Sequence, residues 1–477
     1  MRQMRMRLGI TWLSTTVAAV AAVVIAAAAQ NAPRQVSIIV SGGTVVTVNA
    51  AANIFNPGAV AIDGNTIVAV GPAADIATRF RGTEQINTVG QVVIPGLINA
   101  HTHAPMVLYR GLADDLPLQE WLEKYIFPAE AKTVSREMVR VGTRLAALEM
   151  IQSGTTAYAD MYYFEEEIGR VTKAAGLRGI LGQTIIQFPV ADAKTPAEGL
   201  ARSEAFIKEF RNDELIVPAV APHAPYTNDT KTLQAARALA TRYGVPLITH
   251  VAETSAEVKN SRAAHGGMTP VAYLDSIGFL GPRTLANHVV WATPADIAIL
   301  RNRHVGVSHN PESNMKLASG IAPVPAMLTA GVIVGLGTDG AASNNDLDMF
   351  EAMRLAAFLH KVHSGDPRAI PAATALQMAT MNGARALGLE KQIGSLEAGK
   401  RADLVVVSMA GARQTPMYNA ISHLVYVSRG GDVQTTIVNG RVLMRDRKML
   451  TLDEAAVLSE ARKFAESVRA AVAPAVK

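Results

Sequence analysis

The stretch VVIPGLINAHTHAPMVLYRG, residues 92–111, decides the fold. Its apolar first part is interrupted by Pro95 and Gly96 and leads to His101 and His103, which predicts a buried strand with two imidazoles at its C-terminal end. Side chains two positions apart on a strand share a face. Two neutral imidazoles held side by side form half of a zinc-type site, so we interpret the pair as metal ligands. If only this stretch is considered, two half-exposed histidines in a loop remain the alternative interpretation.

Further apolar runs follow this one, and each is separated from the next by a polar loop and a helical pattern. This alternation is typical of βα units and a parallel sheet. Eight runs in all predict an α/β fold with a (β/α)₈ TIM-like barrel. The runs are residues 92–103, 155–161, 179–186, 216–220, 246–251, 284–290, 305–308 and 332–337.

In such a barrel the chemistry lies at the C-terminal ends of the strands, so the polar residues that end or follow each run are candidates for the site. These residues are His101, His103, Asp160, His223, His250, His288, His309 and Asp339. The sequence therefore predicts a site rich in imidazole and carboxylate groups at one end of the barrel.

A single metal centre is the interpretation that best unites these residues. His250 and Asp339 would complete a site of three histidines and one aspartate. The ordinary alternative for His250 is a structural histidine, and the alternative for Asp339 is a helix cap. Glu253 follows His250 closely enough to act as general acid and base beside water that the metal acidifies. His288 or Asp339 can accept the proton that this water loses. A solvated loop carboxylate and a core histidine are the alternatives for Glu253 and His288.

We predict one metal rather than two. Hydrolases with two metals on this kind of barrel often use a carboxylated lysine on the fourth strand, and residues 216–226 contain no lysine. The chain has no cysteine, which excludes disulfides and thiolate ligands. Any metal must therefore bind to histidines and carboxylates.

The two ends of the chain predict a second domain. Residues 36–48 and 59–70 form strand patterns near one end, and residues 402–407 and 435–444 do so near the other. Asp63-Gly64 and Asn439-Gly440 are favoured hairpin turns. We infer that both ends meet in one β-sandwich. The predicted segments are a signal peptide (1–29), the N-terminal part of the sandwich (30–94), the barrel (95–392), the C-terminal part of the sandwich (393–450) and a C-terminal helix (451–477).

The first 29 residues differ in composition from the rest of the chain. Arg2, Arg5 and Arg7 precede an apolar stretch, residues 8–29, that closes on Ala-x-Ala. This pattern predicts a secretory signal peptide and a secreted or periplasmic protein. The stretch is also long enough for an uncleaved membrane anchor, and this alternative stays open. We expect no stable membrane span once the signal is cleaved.

The charge balance gives no indication of a nucleic acid partner. The formal net charge is +5, and it falls to +2 when the three arginines of the signal are set aside. No basic stripe remains that would bind a phosphate backbone. The partner that we predict is a small-molecule substrate, and a homo-oligomer is left open.

Several motifs resemble one known superfamily when they are taken together and in order. They are PGLINAHTHAPM, RGLADDLPLQEWL, AYADMYY, APHAPY, THVAET, SHNPESNMKLASGIAPV, GTDGAASNN and GSLEAGKRADLVVV. This set resembles the amidohydrolase superfamily over residues 36–450. More narrowly it resembles the 5′-methylthioadenosine/S-adenosylhomocysteine deaminases, with triazine and guanine aminohydrolases nearby.

The resemblance implies a role for each candidate at the metal. It makes one divalent metal, usually zinc in this branch, the cofactor. Glu253 becomes the proton shuttle to the purine ring, and His288 steers the attacking hydroxide. The implied ligands are His101, His103, His250 and Asp339.

Three further residues match substrate-binding positions of the family. Glu130 matches the carboxylate that binds the ribose hydroxyls, His223 a histidine that contacts the substrate, and Trp121 an aromatic residue of the pocket wall. Their ordinary alternatives are a helix-surface glutamate, a histidine beneath a loop and a core tryptophan. Members that take S-adenosylhomocysteine place arginines just after strand three, and residues 183–194 contain none.

We therefore expect a metal-dependent aminohydrolase that removes ammonia from an adenine nucleoside. An aminohydrolase or chlorohydrolase of another heterocycle, such as guanine, a pterin or a triazine, is the nearest alternative. A secreted binding protein on a non-catalytic barrel is the alternative from a different class, but all four predicted metal ligands are present.

Overall fold

The computed structural model describes residues 33–472. The predicted signal peptide, residues 1–29, lies outside the described residues, as do residues 473–477 of the predicted C-terminal segment. Between residues 33 and 472, no helix has both the length and the apolar character that a membrane crossing requires.

Eight parallel strands form the predicted barrel, and each strand pairs with the next along the chain. This order confirms the fold class, since only βα units give parallel neighbours in sequence order. The strands are Leu97–Thr102, Thr155–Tyr162, Arg178–Ile185, Ile216–Pro222, Leu247–Val251, Thr284–His288, Gly306–His309 and Ile333–Leu336.

Alternate strand positions fill the barrel interior. Ile98, Ala159, Ile180 and Ile248 belong to one buried cluster there. The helix Met381–Ala386 contributes alanines to the same cluster, and so packs against the barrel interior. Small and branched side chains at the period-two positions explain why the interior is a packed core and not a pore.

The first apolar run corrects one prediction. Residues 92–103 do not form one strand but two, because Gln91–Pro95 pairs in another sheet and Leu97–Thr102 begins the barrel. The chain changes sheets at Gly96, where a Cβ atom would lie 2.0 Å from the Thr156 hydroxyl oxygen. Only glycine fits such a close approach. Both halves are apolar, and the predicted boundary between the sandwich (30–94) and the barrel (95–392) lies close to this change of sheets.

The two chain ends meet in a pair of packed sheets, as the sequence predicts. One sheet has the strand order Thr66–Pro72, Gly58–Asp63, Arg34–Ser41 and Phe80–Asn87. The other has the order Lys448–Met449, Arg441–Arg445, Val433–Val438, Leu404–Ser408, Gln91–Pro95, Thr44–Val46 and Ile54–Phe55. Apolar side chains from both sheets, including Val60 and Val406, share one buried cluster. This packing defines the β-sandwich.

Both predicted hairpins are present. Asn439 and Gly440 join Val433–Val438 to Arg441–Arg445 with φ values of 50° and 75°, which the favoured two-residue turn requires. The other turn lies one residue later than predicted, since Asp63 pairs with Thr66.

The helices surround the barrel and connect it to the sandwich. The α-helices are Ala73–Arg79, Leu118–Trp121, Phe127–Thr133, Arg136–Gln152, Glu165–Ala175, Pro196–Phe210, Thr230–Tyr243, Ser255–Ala264, Pro270–Ser276, Pro294–Asn302, Pro311–Lys316, Val324–Ala330, Ala341–Asn344, Met349–Ser364, Ala372–Met378, Met381–Ala386, Ala420–Tyr426 and Glu454–Val472. Shorter helical turns are the 3₁₀ segments Ala104–Tyr109, Ala412–Gln414 and Gly430–Asp432 and the π segment Leu122–Ile126. The last α-helix lies within the predicted C-terminal segment and packs on Arg136–Gln152.

A buried ion pair joins the barrel to the sandwich. Arg178 donates to Asp403 through Nε at 2.9 Å and through Nη2 at 3.2 Å, and both side chains are 2% exposed. Asp403 also accepts from the backbone N–H of Asn439, and Arg178 also donates to the carbonyl of Glu214. Because all these groups are satisfied by one another, loss of one partner leaves a buried charge uncompensated.

We therefore expect Asp403→Ala to lower the free energy of unfolding by about 3–5 kcal/mol, measured by urea denaturation. The control is Asp366→Ala, which removes the partner of Arg368, a side chain that is 90% exposed. This control should leave the melting temperature unchanged. Equal stability of the two variants would show that the junction does not depend on the buried pair.

Candidate active site

Three imidazoles and one carboxylate meet at the C-terminal end of the barrel. His101 ends the first strand, His103 follows it, His250 lies on the fifth strand and Asp339 follows the eighth. The Asp339 Oδ1 atom lies 3.3 Å from Nε2 of His101 and 3.3 Å from Nε2 of His103. The Nε2 atoms of His103 and His250 are also 3.3 Å apart. The structure thus brings the four predicted metal ligands together.

Backbone carbonyls fix the orientation of two of these imidazoles. His103 Nδ1 lies 2.7 Å from the carbonyl oxygen of Met161, and His250 Nδ1 lies 2.7 Å from that of His223. A carbonyl only accepts, so each Nδ1 carries the proton and donates it. Each Nε2 therefore carries a free lone pair, as a metal ligand must.

Asp339 is held by hydroxyl and amide donors. Its Oδ2 accepts from the hydroxyls of Ser313 at 2.7 Å and Ser343 at 3.0 Å, and its Oδ1 accepts from the Gly340 N–H at 2.7 Å. Ser313 lies in the quoted motif SHNPESNMKLASGIAPV, but sequence reasoning gave it no role. The Met161 carbonyl had no sequence signal, because every residue type has a carbonyl.

The donor set fits a divalent metal. His101 Nε2 is buried and has no hydrogen-bond partner within residues 33–472, although a buried nitrogen normally has one. Burial lowers the pKa of His101 to about 3 and that of His250 well below its usual value, so both rings are neutral at pH 7. Three neutral imidazoles and a carboxylate are ligands that Zn²⁺ accepts readily.

Glu253 and His288 lie beside the ligands without belonging to the set. The His288 Nε2 atom lies 4.0 Å from Glu253 Oε2 and 4.0 Å from Asp339 Oδ2. Burial raises the pKa of Glu253 to about 7, against the opposing effect of His288. Burial lowers the pKa of His288, but the neighbouring carboxylates outweigh it and the net shift is upward. Both groups can therefore exchange protons near neutral pH.

Other residues hold this pair in place. Asn314 Oδ1 lies 2.8 Å from His288 Nδ1, and Glu257 accepts from the backbone N–H groups of Ala252 and Glu253. Sequence reasoning missed both, although Asn314 stands in a quoted motif and Glu257 lies four residues after Glu253.

Left-handed backbone conformations cluster around the site. Ala252, His288, Val289 and Asp339 have φ values of 52°, 70°, 47° and 65°. Each such conformation costs roughly 1–3 kcal/mol for a residue with a side chain, so tertiary packing must hold it. Strain of this kind is common where side chains must point into an active site.

A cavity opens beside the metal-ligand cluster. Its wall includes all three predicted substrate-binding residues, and its lining contains no lysine or arginine. The lining comprises His103, Met106, Leu118, Trp121, Leu122, Ile126, Phe127, Glu130, Met161, Tyr162, Tyr163, Thr184, His223, Tyr226, His250, Leu317, Asp339, Gly340, Ala342 and Ser343.

The three substrate-binding candidates differ in their surroundings. Glu130 is buried, accepts from the Tyr162 hydroxyl at 2.7 Å, and has a pKa that burial raises to about 7. The Glu130 side chain is therefore not a helix-surface glutamate. His223 Nδ1 lies 3.1 Å from the Thr227 hydroxyl, and Trp121 is buried in the core as well as in the wall.

Two polar residues predicted from the strand ends do not join the cluster. His309 Nε2 lies 3.2 Å from His360 Nε2, and both rings are fully buried away from the ligands. Asp160 accepts from the Ala104 N–H at 2.6 Å and so braces the turn after His103. His309 ends its strand as predicted, whereas Asp160 lies two residues before the end of its strand, and neither side chain joins the ligand cluster.

Comparisons with known proteins agree with this geometry. Residues 92–443 match the Amidohydrolase family, and residues 58–82 match an imidazolonepropionase-like composite domain of bacteria. A 5-methylthioadenosine/S-adenosylhomocysteine deaminase of Syntrophobacter fumaroxidans is 48% identical over 90% of this chain and 97% of the relative. A 5′-deoxyadenosine deaminase of Methanosarcina acetivorans is 49% identical over 80% of this chain and 88% of the relative.

Solved structures show the same fold. The crystal structure of an adenosine deaminase from Xanthomonas campestris with bound zinc has a TM-score of 0.90 and 40% identity, and covers 92% of this chain and 100% of its own. A triazine hydrolase from Arthrobacter aurescens has a TM-score of 0.84 and 23% identity, and the match covers 90% of this chain and 99% of the hydrolase chain. At this identity the match is evidence for the fold and for nothing further. The motifs, the ligand cluster and these matches agree: the chain belongs to the amidohydrolase family.

Proposed function

We propose that the protein is a metal-dependent deaminase of adenine nucleosides. It adds water across the bond between the purine ring and its exocyclic amine, so that a C–O bond forms, the C–N bond breaks and ammonia leaves. The observation that carries this proposal is one cavity that joins the metal-ligand cluster to the buried carboxylate of Glu130. The relatives named as deaminases of 5-methylthioadenosine, S-adenosylhomocysteine and 5′-deoxyadenosine support it.

His101, His103, His250 and Asp339 would hold the metal, and zinc is the ion that we propose. The zinc in the similar adenosine deaminase supports this choice, as does the donor set of three imidazoles and one carboxylate. A divalent ion in such a set makes water acidic near neutral pH and so provides the nucleophile.

Glu253 and His288 would move the protons. A buried carboxyl with a pKa of about 7 can donate a proton to the purine ring nitrogen and then take another for the departing amine. His288 lies 4.0 Å from the carboxylates of both Glu253 and Asp339, so it can accept the proton that water loses. A separation of 4.0 Å is beyond hydrogen-bond reach, so a proton would pass between these side chains through the substrate or one bridging water.

Glu130 would bind the ribose. Its carboxylate retains acceptor capacity beyond the hydrogen bond from Tyr162, and two adjacent ribose hydroxyls match a two-oxygen acceptor. His223 and Trp121 line the same cavity, where they can contact the sugar and the purine ring. No lysine or arginine lines the cavity within residues 33–472, so a small uncharged 5′ group suits it better than an amino-acid tail.

We also propose that the protein is exported and acts in the periplasm or outside the cell. Three arginines before an apolar stretch that closes on Ala-x-Ala support a cleaved signal peptide. N-terminal sequencing of the protein from its host would test this, since an intact residue 1 contradicts cleavage.

For the metal, we expect His250→Ala to bind zinc at least about tenfold more weakly, because only three ligands remain. Elemental analysis after dialysis should find one zinc per chain in the wild type and much less in the variant. His423→Ala, at a histidine outside the cavity, is the control and should keep its zinc. Full occupancy in His250→Ala, or two zinc ions in the wild type, would contradict the single site.

For the proton shuttle, we expect Glu253→Gln to keep its zinc and its melting temperature and to lose about 10²–10⁴-fold in turnover. The amide has the same shape but carries no proton to donate. Glu466→Gln, an exposed position on the last helix, is the matched control and should leave both properties unchanged. Near wild-type ammonia release by Glu253→Gln would end the assignment.

For the ribose, we expect Glu130→Ala to lower kcat/KM for nucleosides by about 10- to 100-fold, since charged hydrogen bonds are lost. The substrates to compare are adenosine, 5′-deoxyadenosine, 5′-methylthioadenosine, S-adenosylhomocysteine, adenine, guanine and a triazine. The wild type should prefer the first three nucleosides, and the variant should lose most of that preference over adenine.

The pH dependence provides a further check on Glu130. Its pKa of about 7 means that the carboxylate is protonated below neutral pH, so the preference for a nucleoside over adenine should weaken as the pH falls below 7. Glu130→Gln should remove this dependence. A wild-type preference for any free base would move the protein to the heterocycle hydrolases.

A further inference from the structure

A second group of carboxylates lies outside the substrate cavity. Glu312, Asp346 and Glu351 each place one oxygen within 4.8 Å of the others. Glu312 lies on Pro311–Lys316, Asp346 in the loop after the eighth barrel strand, and Glu351 in the first turn of Met349–Ser364. None of the three lines the substrate cavity. We call this group the acidic cluster.

No basic side chain neutralises the acidic cluster. Within residues 33–472, no lysine, arginine or histidine forms an ion pair with any of its three members. Lys316, one helical turn after Glu312, instead donates to Asp114 and Asn345. The other charged groups that face the acidic cluster, Asp348 and Glu149, are acidic as well. Glu149 is paired with Arg110, whereas the three members of the acidic cluster have no basic partner within residues 33–472.

Glu312 provides an independent indication of a ligand. Its residue is 8% exposed, and its Oε1 atom is buried without a hydrogen-bond partner among the described residues. Burial, together with the charges of Asp346 and Glu351, raises the pKa of Glu312 well above its usual value. A buried carboxylate with one unpartnered oxygen is costly unless it takes up a proton or a cation compensates its charge.

We propose that Glu312, Asp346 and Glu351 bind a hard divalent cation, and that this cation is Ca²⁺. The acidic cluster offers only oxygen ligands, which Ca²⁺ and Mg²⁺ prefer and which do not select zinc. Mg²⁺ is usually held by one or two carboxylates together with substrate phosphates and several waters, whereas Ca²⁺ accepts about six to eight oxygen ligands in a flexible geometry. Three carboxylates, with water to complete the coordination, therefore favour Ca²⁺.

The acidic cluster is connected to the catalytic aspartate. Asn344 Nδ2 donates to Glu312 Oε2 at 3.3 Å and also to the Thr338 carbonyl, while the Ser343 hydroxyl donates to Asp339 Oδ2. A cation at Glu312 would therefore brace the loop that positions Asp339. It would act as a structural ion, separate from the metal at the histidines.

The test uses the zinc-loaded protein in calcium-free buffer, with CaCl₂ added in steps. The melting temperature should rise saturably by about 2 °C or more, because the ion binds only the folded chain. The double variant Glu312→Gln, Asp346→Asn should show no rise, and without calcium it should melt no lower than the wild type, since like charges are removed. Glu466→Gln is the control and should keep the full rise.

Calorimetric titration of the wild type should find one Ca²⁺ per chain, with Mg²⁺ bound at least about tenfold more weakly. If the double variant does not fold, Asp346→Asn alone serves, and it should weaken calcium binding at least about tenfold. No response of the wild type to about 10 mM CaCl₂, an equal response in the folded variant, or tighter binding of Mg²⁺ would each overturn the proposal.

Discussion

The site depends on how the eighth barrel strand closes onto the first. Asn99 donates to the Thr338 hydroxyl at 2.7 Å and accepts from the Thr338 N–H at 3.1 Å, and the Asp339 N–H donates to the His101 carbonyl at 2.9 Å. These bonds place Asp339 beside His101, although the two residues are far apart in sequence. Because parallel strands all end at one rim, His250 on the fifth strand reaches the same point. Closure of the barrel therefore assembles the metal site.

Burial then gives the groups at this rim their different chemical roles. It lowers the pKa of His101 to about 3, so that the imidazole is a neutral ligand. The same loss of solvent raises the pKa of Glu253 and of Glu130 to about 7. Desolvation disfavours the charged form of each group, which is why the shifts have opposite directions in bases and acids. One physical effect thus keeps the imidazole of His101 neutral and lets the carboxyls of Glu253 and Glu130 titrate near neutral pH.

The sequence was enough to predict the barrel, the meeting of the chain ends in one sandwich and the clustering of four candidate ligands. A histidine or an acidic residue at the end of an apolar run, such as His250, can be recognised as a candidate ligand from the sequence. Pro95 and Gly96 mark the division between the two strands, but the sheet with which each strand pairs could not be predicted, because both are equally apolar. Hydrogen bonds made by backbone groups, such as that of the Met161 carbonyl with His103, cannot be predicted from residue type. His309 ends a strand like His250, and only the three-dimensional arrangement separates a ligand from a core histidine.

The central claim is that one metal at these four side chains supports hydrolytic deamination. The most direct measurement is reconstitution, in which metal-free protein receives zinc in fractions of an equivalent while ammonia release from adenosine or 5′-methylthioadenosine is followed. Calcium is held constant throughout. We expect activity to rise linearly and to stop rising at one zinc per chain. Activity without zinc, or a linear rise that continues to two equivalents, would contradict it.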